Sequence, residues 1–299
     1  MVALQACDRG QKLAAKCQEL IEPKLVAFHL SAFEIKDEVA TPAPILINML
    51  ACTVGPSSLD RLPQPSLVRS YALLFKDQDA AAIAELEAAA NEGQAKAQAF
   101  LALLHLQPKN LWAGFSSVSL APKTIPVKNR ETALKLAQLA ADQNDSDGHL
   151  VLAATYREIG DTENLIRHAW FAADAGHDIA RLWLGIALSS KTEPDAIQER
   201  AEGIEILRSL EQEGNVLRAS EELTDALIAG DGSEREEGIR RLKSYTRHSG
   251  SVDAAIRLAR LYEQTGDYER ARRWFCFAGA AGEKTSNFPM VCDGKYIED

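Results

Sequence analysis

Aromatic side chains are scarce in this chain of 299 residues: Phe, Trp and Tyr together make up 6% of it. Ala and Leu supply most of a hydrophobic content of 46%. An all-β fold fills its pleated surfaces with β-branched and aromatic residues, so this balance argues against one. Long apolar runs are also lacking. The longest, Ile45 to Val54, is broken by Asn48 and Thr53, well short of the roughly 20 residues that a membrane-spanning helix needs. The first thirty residues carry Asp8, Arg9, Lys12, Lys16, Glu19, Glu22 and Lys24, without the apolar centre of a secretory leader. As the sequence stands it predicts a cytoplasmic protein. A leader removed before Met1 would make it periplasmic.

Cysteine is rare as well. Cys7, Cys17, Cys52, Cys276 and Cys292 form an odd, sparse set that does not read as a disulfide framework. A reduced compartment is the plainer expectation; pairing Cys7 with Cys17, or Cys276 with Cys292, would require an oxidising one. There is no Cys-x-x-Cys and no His-x-x-x-His, so zinc chemistry lacks its usual local pattern. The six histidines are scattered and read as structural or surface residues. Nucleophile elbows, phosphate-binding glycine loops and cofactor-lysine motifs are all missing. The expectation is a non-enzyme without metal or cofactor. The net charge of −10 repels phosphate, so nucleic acid is not an expected partner.

What the chain does have is repetition. Two small residues, a Gly or Asn three or four positions on, and a further small residue recur. Copies are Ala89-Ala90…Gly93…Ala97, Ala140-Ala141…Asn144…Gly148, Ala172-Ala173…Gly176…Ala180 and Ala278-Gly279…Gly282. With Gly214 and Gly250 as weaker members, the anchors are spaced by 51, 32, 38, 36 and 32 residues. Apart from the first, these are periods of a helix-pair solenoid. The first helix of each pair carries a small residue, Leu four on, another small residue and then often an aromatic. Examples are Ala97-Leu101-Ala102, Gly148-Leu152-Ala153-Tyr156, Ala180-Leu184-Gly185 and Ala254-Leu258-Ala259-Tyr262. That spacing makes one helical stripe, whose small members let a neighbouring helix approach closely. Gly160-Asp161 and Gly266-Asp267 read as turns, the Gly ending one helix and the Asp capping the next. The second helix, clearest at Tyr268…Ala271…Trp274-Phe275…Ala278, offers an aromatic stripe that reads as core. Gly176 is expected at the junction of two pairs, where a Leu would overpack, unlike Gly232 in a polar turn.

This register resembles the Sel-1-like repeat, a relative of the tetratricopeptide repeat. Residues 254–282 carry the resemblance nearly throughout, and residues 148–176 do so with Leu165 and His168 at positions that are usually small and Trp. Residues 219–250 match poorly, Thr246-Arg247 replacing the small pair. The expected fold is all-α: an α-solenoid of about six antiparallel helix pairs in a right-handed superhelix over residues 65–282. Residues 1–40 read as a helical segment or cap, 41–64 as a Pro-containing linker and 283–299 as a tail or cap. An insertion at 107–129, with Trp112 and Phe115, enlarges one turn.

The resemblance implies a protein-interaction scaffold or adaptor that holds another protein or peptide in its concave groove. Carried over from tetratricopeptide relatives, the groove positions are Leu150, Ala154 and Arg157; Leu182, Ile186 and Ser189; Glu221, Asp225 and Ile228; and Ile256, Arg260 and Glu263. Charge is segregated: Thr192 to Ile239 holds 14 acids and 4 bases, whereas Arg240 to Arg273 holds 9 bases and 4 acids. The basic stretch reads either as a solvated surface with local ion pairs or as a patch for an anionic partner. The strongest binding candidates are Arg157, Leu182, Ile186, Asp225, Arg257, Arg260 and Glu263. The alternative function is a periplasmic component of bacterial polysaccharide export or envelope assembly, binding an anionic polysaccharide or a partner protein.

Overall fold

The computed structural model describes residues 69, 70, 73, 78–106, 129–193, 195–214, 216 and 218–280. The expectations for segments 1–40, 41–64 and 283–299, for the insertion at 107–128 and for Cys7, Cys17, Cys52 and Cys292 lie outside those residues. Every regular element among the described residues is an α-helix. The chain divides into two compact units, meeting at Arg218 and Ala219.

The first unit holds α1 (Asp79–Asn91), α2 (Ala95–Leu106), α3 (Arg130–Ala141), α4 (Ser146–Ile159), α5 (Thr162–Asp174), α6 (Asp178–Ser189) and α7 (Ile197–Glu213). In the register of the repeat, α1 is the second helix of a pair, and α2–α3, α4–α5 and α6–α7 are complete pairs. The second unit holds two more pairs, α8 (Arg218–Ala229) with α9 (Gly232–Ser249), and α10 (Val252–Gln264) with α11 (Tyr268–Ala280). Each unit is therefore a stretch of all-α, helix-pair solenoid. The weakly matching copy at 219–250 forms its pair all the same. A repeat can lose its consensus small residues and keep its helices while the amphipathic stripe survives, and Leu223, Leu227 and Leu242 are buried.

The helix ends follow the sequence signals. Gly93, Asn144, Gly176, Gly214 and Gly250 all take left-handed backbone just past a helix. Asn144, with φ of +59°, is the only non-glycine among the described residues to do so. This geometry lets amides beyond the helix reach its last free carbonyls; Asp145 N–H donates to Ala140 O at 3.2 Å. At helix starts, Asp161 accepts from the Asn164 amide at 3.1 Å and Asp267 from the Arg270 amide at 3.1 Å, both as capping residues.

Gly176 overturns one expectation. It is exposed, its φ is +88°, and an added Cβ would have no neighbour within 4 Å. Its role is conformational, so overpacking is not the hazard there. Close approach falls to other glycines. A Cβ on Gly148 would lie 2.5 Å from the Ala141 nitrogen, bringing α4 against α3. One on Gly203 would lie 2.8 Å from the Gly185 oxygen, joining α7 to α6, and one on Gly238 2.7 Å from the Ile228 nitrogen, joining α9 to α8.

The small–Leu–small stripe is buried as expected: Ala97, Leu101, Ala102, Leu152, Ala153, Ala180, Leu184, Ala254, Leu258 and Ala259 are all in the core. In the second unit they join Tyr262, Ala271, Trp274 and Ala278 in one cluster. Fully burying a Leu-sized side chain contributes about 1.5–3 kcal/mol, so these stripes hold the pairs together. Tyr268 departs from the aromatic core reading: it is 69% exposed, because it opens α11 on the solvent side.

Candidate functional site

The groove positions divide sharply between the two units. In the first, Leu150, Ala154, Leu182 and Ser189 are buried. Leu182, at 0% exposure, offers a partner nothing and is removed from the binding set. The cause is local composition. α6 reads DIARLWLGIALS and is apolar almost all round, so positions that would face a groove are taken up by packing. The same holds on α2, where Ala99, Leu103 and Leu106 are fully buried. Arg157 and Ile186 stay at the surface, Arg157 exposed and Ile186 half-buried. The Arg157 guanidinium sits 5.4 Å from the Trp183 ring centroid, a cation–π contact that links α4 to α6.

In the second unit the corresponding positions stay open. Glu221, Arg260 and Glu263 are exposed, and Asp225 is half-buried. Ile228 and Ile256 are partly buried and pack on the core cluster. Arg257 on α10 pairs with Asp225 on α8. The face thus carries two aliphatic footholds, one internal ion pair and free-standing charges of both signs.

The basic stretch is partly neutralised by neighbouring acids. Arg240 pairs with Glu236 at 3.8 Å, Arg270 with Asp267 at 2.8 Å and Arg273 with Glu269 at 2.6 Å. Lys243 and Arg270 lie over the Tyr262 ring at 5.5 and 5.7 Å. Arg260 makes no ion pair among the described residues.

A second polar constellation, which sequence spacing did not reveal, lies in the first unit. The Lys96 Nζ donates to Asp147 Oδ2 at 2.6 Å and sits 2.9 Å from Asp145 Oδ2. His177 Nε2 is 3.0 Å from Ser146 Oγ and 3.4 Å from Asp147 Oδ1. Asp147 is completely buried and its Oδ1 accepts no hydrogen bond. Burial raises its pKa to about 6, against the opposing pull of Lys96. Burial also lowers Lys96, but Asp147 and Asp145 together more than offset this and raise it. Burial, then Lys96, lowers His177. A Ser–His–Asp relay needs the hydroxyl and the carboxylate on opposite ring nitrogens. Here both approach Nε2, so the group is a tie rather than a relay. It joins the starts of α2, α4 and α6, the first helices of three successive pairs. The repeat register could have pointed to it, since Lys96, Asp147 and His177 all stand within three residues of the small residue that opens their stripes.

Among the described residues no group of three or more His, Cys, Asp or Glu side chains is placed to hold a metal ion, and no helix is long and apolar enough to cross a membrane. Cys276 on α11 is disulfide-bonded.

No family model matches the chain, and no curated protein matches it. Among solved structures it is similar to the crystal structure of a Sel1 repeat protein from Oxalobacter formigenes. The identity is 16% and the TM-score 0.45, over 84% of this chain and 96% of that one.

Proposed function

We propose that the protein is a non-catalytic interaction scaffold, and that a protein or peptide partner docks on the first-helix face of the second unit. The observation that carries this reading is the contrast between the units. The first closes Leu150, Ala154, Leu182 and Ser189 with packing, while the second leaves Ile228 and Ile256 partly open beside Asp225, Arg260 and Glu263. Partly exposed aliphatics flanked by both signs of charge suit an amphipathic helix or an extended peptide. Each aliphatic foothold is already mostly covered by the core, so finishing its burial contributes at most about 1 kcal/mol; the charges set register and orientation. Arg157 and Ile186 form a smaller contact area on the first unit.

The test is affinity capture from the native host, with wild type compared with Ile256→Asp and with Arg260→Glu. Arg260→Glu should keep the helical circular dichroism of wild type and weaken capture of the partner; Ile256→Asp also removes core packing, so its capture is compared only after its helical signal is shown to match wild type. Undiminished capture by both would remove the second unit from the binding surface.

A second reading, a periplasmic component of polysaccharide export or envelope assembly, is favoured by one observation, the disulfide at Cys276. Such bonds persist in oxidising compartments. Alkylation of the native protein without reductant, followed by mass measurement, tests it: a Cys276 thiol that reacts freely would count against this location.

A further inference from the structure

His149 and His168 face each other across the α4–α5 pair. Their Nδ1 atoms are 3.0 Å apart, and their ring centroids are 5.2 Å apart. The contact and the two ring radii use up nearly all of that separation, so the nitrogens meet almost head-on. Both rings are held from behind. Phe171 stacks on His149 at 4.5 Å and 17°, and Tyr156 on His168 at 5.6 Å and 7°. His168 is buried and His149 half-buried.

Two nitrogens this close can share only one proton. One ring donates through Nδ1–H and the other accepts on a bare Nδ1. A first added proton goes to the donor ring's Nε2, which leaves the N–H···N bond in place and strengthens it by charge. A second must go on the accepting Nδ1. It sets two N–H groups and two positive charges against each other. We propose that this pair is an acid-released latch that fastens α4 to α5 and lets go when both rings are protonated.

The surrounding groups agree. Burial, before any charge, lowers both rings, and takes His168 to about 4. Asp145 at the start of α4 and Asp142 at the end of α3 favour charge on His149. His149 itself and Arg167 on α5 oppose it on His168. With both folded values below the unfolded one, the latch gives its full stability above about pH 6.5. That stability is lost as pH falls towards the folded values.

The experiment uses the full chain labelled with nitrogen-15 in histidine. At pH 7.5 one ring of the pair should be the Nδ1–H tautomer and the other Nε2–H, with a scalar coupling between the two Nδ1 atoms. Chemical denaturation at pH 7 and pH 5 is then compared with that of His149→Ala. The unfolding constant of wild type should rise more steeply on acidification than that of the variant, by up to about tenfold per pH unit for each histidine lost. Asp147 and His177 titrate in both proteins and cancel from the comparison. Two Nε2–H rings without coupling, or equal pH slopes in the two proteins, would overturn the proposal; the labelled wild type decides even where His149→Ala fails to fold.

Discussion

Glycine does two different jobs in this chain, and substitution separates them. Gly148→Leu should destabilise by about 1–3 kcal/mol through overpacking, since even a methyl group meets the Ala141 backbone. Gly176→Ala meets nothing and should lose only about 1–2 kcal/mol to left-handed strain, which Gly176→Asn should largely recover. Denaturation midpoints of the three variants measure this. Asp147 makes a second prediction. Its folded value, about 6, lies above that of an unfolded carboxyl, so the folded state holds a proton that the unfolded state has lost. Stability from this residue therefore grows as pH falls through 6 and fades as pH rises. Relative to Asp147→Asn, wild type should gain between pH 7 and pH 5, the opposite sense to the histidine pair. These residues also mark what a sequence can convey. Caps such as Asp161 were legible because an Asp after a Gly has one local use. The role of Gly176 was not, because a glycine letter does not say whether the space beside it is filled. Leu182 was misplaced because its register position faces a groove only when its neighbours leave one. His149 and His168 stand on two helices 19 residues apart, and only pairing the repeat's two stripes brings them together.

Among the elements, α2 and α6 are each buried on nearly every side, with nine residues apiece in the core. A helix whose backbone is shut away from water opens only with the structure around it. Hydrogen exchange should therefore be slow in α2 and α6 and faster in α9, whose buried positions are only Gly238, Leu242 and Thr246. Mass spectrometry of exchanged peptides would show the order, and faster exchange in α2 would contradict the packing described. The start of α3 offers a measure of local capping. Asn129 Oδ1 accepts from the Thr132 amide at 3.0 Å, so Asn129→Ala should lower stability by about 1 kcal/mol. Helix existence and turn position were readable along most of the described chain because small residues recur with a fixed period. The pair α8–α9 was the least readable, since Thr246-Arg247 stands in place of its small pair, although Ala219, Leu223, Leu227 and Leu242 are buried.

At the scale of the whole chain, charge is divided between an acidic stretch and a basic one, yet Arg240, Arg257, Arg270 and Arg273 each pair with an acid. Reversing Arg257 would set a carboxylate against Asp225 and confuse folding with binding. Arg260→Glu is the cleaner probe. If the partner is anionic, that variant should bind more weakly at low salt, and the difference should shrink as salt screens exposed charge over about 8 Å at physiological strength. Titration at two salt concentrations distinguishes this from a purely aliphatic contact, for which salt would change little. The tie among Lys96, Asp147 and His177 has a further meaning for how such a chain can grow or shrink. Cutting from one anchor to the next, residues 145–176, would remove one whole helix pair and rejoin the backbone in phase. It would also leave Lys96 without either of its carboxylates and His177 without Asp147 or Ser146. The modules are interchangeable as backbone but individually addressed by charge, so this copy has a fixed neighbour on each side and its place in the series cannot be shuffled.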